Sequence, residues 1–205
     1  MIVVFGWIED ARPRLAKAQA VLEESIVAHG LTPLRYTGGQ DLFKFHDMLA
    51  RGRAAATTDS FVWCNSDVTL RKNPFDLAGD GRVHGFHRTE VPSGSITYGV
   101  DMYLIPCRVW DELLSPNAPD LYCGASFVDW WITRACQKAA IYENHTGYID
   151  HVTHEKSSAA TAESDRYYRH NLREYNRWAR RAGVGTVDVP VRLPKFLQWL
   201  TSWAS

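Results

Sequence analysis

Three short apolar runs, separated by two stretches of helical period, constrain this chain more than any other feature. Ile2-Val-Val-Phe-Gly-Trp7 is β-branched and uncharged, the pattern of a strand covered on both faces. Asp10 can cap the helix that follows. Pro13 falls in its first turn, where a missing amide costs little, and Leu15, Ala18, Leu22 and Ile26 recur at helical spacing. Gly30 stops that helix. Leu31–Thr37 reads as a second strand, near a sheet edge because Pro33 cannot donate to a ladder. After the Gly38-Gly39 loop, residues Asp41–Ala56 predict a second helix and Phe61-Val-Trp-Cys64 a third buried strand. Strand, helix, strand at this spacing is a βαβ unit, which calls for an α/β fold with a mostly parallel central sheet between layers of helices.

Farther along, Val83–Arg88 alternates as a half-buried strand does, and Ile96–Ile105 reads as a longer strand. Helices are expected at about Arg108–Leu114 and Phe127–Lys138, a last strand at Ala139–Tyr142, and a histidine-rich loop at Asn144–Ser158. From about Thr161 to Ala182 the pattern is one long polar helix. Arg166, Arg169, Arg173, Arg177 and Arg180 recur at intervals of 3, 4, 4 and 3, which places five guanidinium groups on one face. Tyr168, Leu172, Tyr175 and Ala179 form a neighbouring stripe that would dock the helix. Gly183 and Gly185 end it, and the tail Val189–Trp203 is expected to pack back onto the body. The organisation expected is one domain, with residues 1–158 as core and 159–205 as a basic C-terminal helix and tail.

At 205 residues, 45% apolar and 22% charged, the chain can bury a substantial core, and the proportions exclude a disordered or fibrous class. Lys+Arg and Asp+Glu cancel at 23 each, so no net field draws the whole molecule to nucleic acid or an anionic membrane. The cancellation is not local: from Glu155 onward nine basic residues face five acidic ones. Cysteines 64, 107, 123 and 136 make no CxxC pair, which points away from a zinc knuckle or redox motif. The run Met1–Ile8 is too short for a signal peptide, and no stretch reaches the roughly 20 apolar residues of a membrane span, so the expected location is the cytoplasm.

The strongest site signal is Asn65-Ser66-Asp67, directly after a buried strand. In open α/β sheets the carboxyl ends of the strands face the ligand crevice. Oxygen-bearing side chains at i and i+2 there can converge on a hard divalent cation, although such triplets also serve as turn or cap chemistry. His151 and His154, in Asp150-His-Val-Thr-His-Glu155, can complete with imidazole nitrogen a metal shell begun by Asp67; the alternative is a solvated pair. Asp129, followed by Trp130-Trp131, is a carboxylate held beside an aromatic surface, as a base or hydroxyl-binding group needs. It can equally serve the helix dipole. Asp101, in Gly99-Val-Asp-Met-Tyr103, is an acid within an apolar strand, expensive unless hydrogen-bonded or functional.

In this order the elements resemble a compact GT-A-type glycosyltransferase, the nucleotide-sugar-dependent fold built on a Rossmann-like half with a D-x-D signature. The stretch Ala50–Asp67 is similar to the family's helix, turn, apolar strand and acidic triplet, and Ala125–Ser158 to the segment that supplies the acceptor-side carboxylate and a late histidine ligand. Two departures stand out. Asn65 replaces the first acid of the triplet, and the family's usual Arg-Asn pair before the strand is not in register. The resemblance implies a three-layer sandwich, Mn²⁺ or Mg²⁺ at Asp67 with His151 or His154, and transfer of a sugar from a nucleoside-diphosphate sugar donor to an acceptor hydroxyl. By position it implies donor contacts at Gly6, Trp7, Thr37, Gly38, Arg51, Arg53, Asn65 and Ser66. Asp129 is the first choice for the base that takes the acceptor proton, and Asp101 the second.

The arginine face is not explained by that resemblance. Arg166, Arg169, Arg173 and Arg177 can be a solvated surface, or can hold a polyanion with Tyr167 and Trp178 at their flanks, and Trp130 can add an aromatic acceptor contact. The acceptor would then be a hydroxylated base in DNA rather than a glycan or small molecule. Two rivals stand beside the transferase: a nucleotidyltransferase, for which Gly6-Trp-Ile-Glu-Asp is a poor phosphate loop, and a non-catalytic nucleic-acid-binding module.

Overall fold

The computed structural model of the chain describes residues 1–9, 13–37, 43–123, 127–152 and 162–187. The apolar runs become β1 (Ile2–Gly6), β2 (Thr32–Tyr36) and β3 (Ser60–Cys64), with every residue of β3 buried. β1 pairs in parallel with both β2 and β3, and β2, which carries Pro33, lies at the edge of the sheet as expected. Four more strands, β4 (Val68–Leu70), β5 (Val83–Val91), β6 (Ile96–Pro106) and β7 (Tyr142–Val152), complete a seven-stranded sheet of order β2-β1-β3-β6-β5-β7-β4. Five of the seven strands point one way. Only β6 and β4 run against them.

Helices cover both faces. α1 (Pro13–Ala28) buries Leu22 and Ile26 against Val3, Phe5, Val62 and Phe86 on one side. On the other side α2 (Phe45–Ala55), α4 (Val128–Lys138) and α5 (Ala162–Ala182) enclose a core rich in aromatic rings. There Trp63 stacks on Tyr103 and meets the edge of Phe45 at 4.9 Å between centroids. The short helix α3 (Cys107–Val109) leads from β6 into a wider turn at Trp110–Leu114. Among the described residues no helix is long and apolar enough to cross a membrane.

Two expectations are corrected here. The last strand does not end at Tyr142 but begins there, and the loop expected from Asn144 is strand as far as Val152. β7 pairs with β5 from Tyr142 onward and also with β4 at Ile149–His151, so the ladder holds the segment as strand although its side chains are polar. On α5, Tyr167 and Trp178 are 6% and 4% exposed, so both belong mainly to the docking face, and only Tyr167 also touches the arginine row, with the Arg166 guanidinium 5.9 Å from its ring centroid among the described residues. Tyr175 and Ala179 are buried beside them, while Tyr168 and Leu172 are half-buried against the same core. Asp10, Gly38, Gly39, Gly124, His154 and the tail Val189–Trp203 lie outside the described residues.

Candidate active site

The carboxyl ends of β3, β5 and β7 lie on one edge of the sheet, where the antiparallel β6 brings in Asp101. Beyond β3, the register of β4 with β7 sets Val68 opposite His151, and with it Asp67, three residues after Cys64. The register of β5 with β7 sets Glu90 opposite the same histidine. His151 therefore stands between two carboxylates: its Nε2 is 3.3 Å from Asp67 Oδ2 and its Nδ1 is 2.7 Å from Glu90 Oε2. Glu90 Oε1 accepts in turn from Arg88 Nε at 2.7 Å and from Thr97 Oγ1 at 3.0 Å. The Arg88 guanidinium reaches both oxygens of Asp101 at 3.3 and 3.4 Å, and Asn65 Nδ2 donates to Asp101 Oδ1 at 2.5 Å. A second bond, from the Asn65 backbone N–H to the Asp101 carbonyl at 2.8 Å, fixes the turn after β3. One network thus runs from Asn65 through Asp101, Arg88, Glu90 and His151 to Asp67.

Its electrostatics are weighted towards negative charge. Among the described residues, three carboxylates face one guanidinium and one imidazole. Burial pushes the Asp101 carboxyl up to about 6; Arg88 and Asn65 pull it down, and the Asp67 charge adds to the rise. His151 is held above the ordinary imidazole value, mainly by its hydrogen bond to Asp67 and then by Glu90, against the opposing effect of burial. If Nδ1–H donates to Glu90, the lone pair on Nε2 faces a carboxylate oxygen, and that arrangement is favourable only with a positive charge between them. A proton or a metal cation meets the need, and the oxygen-plus-imidazole donor set fits a divalent cation.

Asp129 opens α4 on a cleft of ≈ 210 Å³ lined also by His87, Trp130, Arg134 and Tyr142. Burial raises its pKa, while the backbone N–H groups of Trp130, Asp129 itself and Val100 hold it down. The helix start is anchored by Tyr103, whose hydroxyl donates to the Asp129 carbonyl at 2.7 Å. Trp130 is 44% exposed at the rim.

The remaining expected donor contacts are dispersed. A Cβ at Gly6 would lie 2.6 Å from the Phe43 ring, so this glycine admits a side chain of the fold itself. Trp7 lies under the Arg35 guanidinium, 3.8 Å from its centroid. Thr37 is exposed at the end of β2 and Ser66 is half-buried beside Asp67. Arg53 is corrected: it forms a forked pair with Asp111 at 2.8 to 3.2 Å, at the end of α2 that leads into the start of β3, the edge opposite the network. Arg51 is exposed on that same end of α2. On α5 the side chains of Arg166, Arg169, Arg173, Arg177 and Arg180 are exposed, and Arg177 is paired with Glu174 at 2.8 Å. Sequence reasoning missed Arg88 and Glu90. The rule that singled out Asp67, charge at the carboxyl end of a strand, applies equally to them.

No known family model matches the sequence, and no curated protein matches it either. In three dimensions the chain is similar to the catalytic domain of Drosophila β-1,4-galactosyltransferase 7 solved with xylobiose, at a TM-score of 0.52 and 9% identity, covering 82% of this chain and 79% of that one. A mutant of the same enzyme, solved with manganese, UDP-Gal and xylobiose, gives 0.51 and 11% over the same shares. A glycosyltransferase involved in the glycosylation of the major capsid of PBCV-1 is 15% identical over 83% of this chain and 98% of that one, with a TM-score of 0.45. At such identities the likeness concerns the path of the backbone, and along that path this chain has the GT-A glycosyltransferase fold.

Proposed function

We propose that the chain is a metal-dependent glycosyltransferase that moves a sugar from a nucleoside-diphosphate sugar to an acceptor hydroxyl. The observation that carries this reading is the 3.3 Å approach of His151 Nε2 to Asp67 Oδ2 at the carboxyl edge of a GT-A sheet, although 84 positions of sequence separate the two residues. Asp67 and His151 would hold Mn²⁺ or Mg²⁺, with Glu90 fixing the orientation of the imidazole from behind. A divalent cation there would take up the negative charge that develops on the departing nucleoside diphosphate. Asn65 and Arg88 hold Asp101 within the frame of the site, a positioning role; its oxygens are engaged by both. Asp129, in the neighbouring cleft, is the group suited to accept the proton of the acceptor hydroxyl, since burial raises its proton affinity. Trp130 offers the flat apolar surface against which a sugar ring can lie.

The acceptor that best fits the cleft is a glycan or small molecule. A second reading, a nucleic-acid acceptor, is supported by the exposed row Arg166, Arg169, Arg173 and Arg177. Duplex DNA should then bind with a steep salt dependence. The transferase reading is tested by calorimetry and donor hydrolysis with UDP- and GDP-sugars. Mn²⁺ should tighten nucleoside-diphosphate binding, and Asp67→Ala should lower metal-dependent donor turnover about 100-fold or more. Turnover insensitive to that substitution overturns the reading, and nucleotide binding indifferent to Mn²⁺ favours a non-catalytic module.

A further inference from the structure

Away from that edge, where β5 and β7 begin, a second group of metal-ligating side chains meets. The parallel register sets His84 opposite Glu143, and His145, two residues on along β7, shares the face of Glu143. One donor atom from each of His84, Glu143 and His145 lies within 4.8 Å of the others. Six residues of β5, roughly 20 Å, separate His84 from Glu90.

The imidazoles are already oriented. His84 is 2% exposed, and its Nε2 is 3.0 Å from Asp80 Oδ1. With that N–H donated to the carboxylate, the lone pair of His84 Nδ1 points at His145 Nε2, 2.9 Å away. His145 is held in place by the rings of Phe86 and Tyr148, with centroids 5.5 and 5.9 Å distant. Donor atoms of a tetrahedral zinc site stand about 3.3 Å apart at metal–nitrogen distances near 2.0–2.1 Å, and a shift of a few tenths of an ångström brings the pair to that spacing. A carboxylate bonded to the distal nitrogen of a ligating imidazole is the usual outer support of such a site.

The geometry points to a zinc site formed by His84 Nδ1, His145 Nε2 and a Glu143 carboxylate oxygen, with Asp80 orienting His84 and the metal tying the start of β5 to that of β7. Two nitrogens and one oxygen select a borderline cation of the Zn²⁺ class, whereas the oxygen-richer set at Asp67 suits Mn²⁺ or Mg²⁺. The site is independent of the transferase reading. The test is titration of the chelator-treated protein with Co²⁺ followed by visible absorption. Asp67→Ala is the background, so that the edge site does not contribute. One equivalent of Co²⁺ should give a d–d band that Zn²⁺ abolishes, and Zn²⁺ should raise Tm. Adding Glu143→Gln or His145→Ala should weaken Co²⁺ binding tenfold or more, and Asp80→Asn, outside the coordination shell, about 10–100-fold. Glu143 and Asp80 are exposed, so those two variants keep the test clear of misfolding. Absence of a saturable band, or a band unchanged by both Glu143→Gln and His145→Ala, overturns the proposal.

Discussion

At the scale of single residues the edge network behaves as a store of protons. Asp101 has its pKa raised to about 6 by burial, above the ordinary carboxyl value of about 3.9. The folded state therefore keeps this proton where the unfolded state has released it. The contribution to stability is complete below about pH 4, fades as pH rises through 6, and amounts to at most about 3 kcal/mol. Urea unfolding between pH 4 and 8 should show that loss in the wild type, and Asp101→Asn should flatten this segment of the curve. Parallel curves would mean that Arg88 and Asn65 compensate the buried charge fully. Glu90 acts one step farther out. Its Oε2 fixes His151 at 2.7 Å, so Glu90→Gln should weaken Mn²⁺ binding about 10–100-fold in calorimetry while the fold stays intact. Of this network Asn65 and Asp67 were legible in the sequence as a polar triplet after a buried strand, Asp101 as an acid within an apolar strand, and His151 as one of a histidine pair. Arg88 and Glu90 were not, because a charged strand end looks the same whether it faces solvent or a neighbouring strand until the register is known.

Elements end by recognisable chemistry, and one ending explains the largest error in the strand reading. Three helices stop in the same motif, with one residue in the left-handed region and two closing bonds. After α1 the bonds are Gly30 N–H to the Val27 carbonyl and Leu31 N–H to that of Ile26; after α5, Gly183 to Arg180 and Val184 to Ala179. After α4 the same pair runs from Ala140 to Gln137 and from Ile141 to Cys136, with Ala140 at φ 56°. The two glycines were readable stop signals. Ala140 is not, and so a strand is expected across the turn at Ala139–Tyr142 and a loop from Asn144, inside β7. The alanine also carries strain that a glycine would not. Ala140→Gly should stabilise the chain by about 0.5–1 kcal/mol, the relief of a left-handed alanine less the added freedom of the unfolded chain. Ala140 is exposed, so packing does not obscure the comparison. Chemical denaturation reads the difference, and a loss of stability would show that the turn prefers a side chain.

On the scale of the whole molecule, α5 docks on the core formed by the sheet and the preceding helices, and the joint is more polar than its periodicity suggests. Asn171 is fully buried, and its amide bonds the backbone of Tyr122 in both directions: Oδ1 accepts the N–H and Nδ2 donates to the carbonyl, each at 2.9 Å. The Tyr122 segment is itself paired with the entry to α2, through Phe45 N–H to the Leu121 carbonyl and Cys123 N–H to that of Phe43, both at 2.8 Å. One side chain of α5 thus closes a ladder that begins at the opposite helix. A helical wheel shows which face of α5 is apolar, but it cannot show that an asparagine within that face meets the backbone of Tyr122 on the side that faces away from α2. Asn171→Ala leaves both Tyr122 groups without these partners, at a cost of about 2–4 kcal/mol. For a chain of this size that is a fall in Tm of about 5–15 °C. Arg173→Ala, two positions on and exposed, should stay within about 0.5 kcal/mol of the wild type. The contrast separates the two faces of the helix: one is part of the folding unit, and the other carries the exposed arginines. Equal effects from both substitutions would mean that α5 is held by its length of apolar contact alone, and that the amide pairing adds nothing.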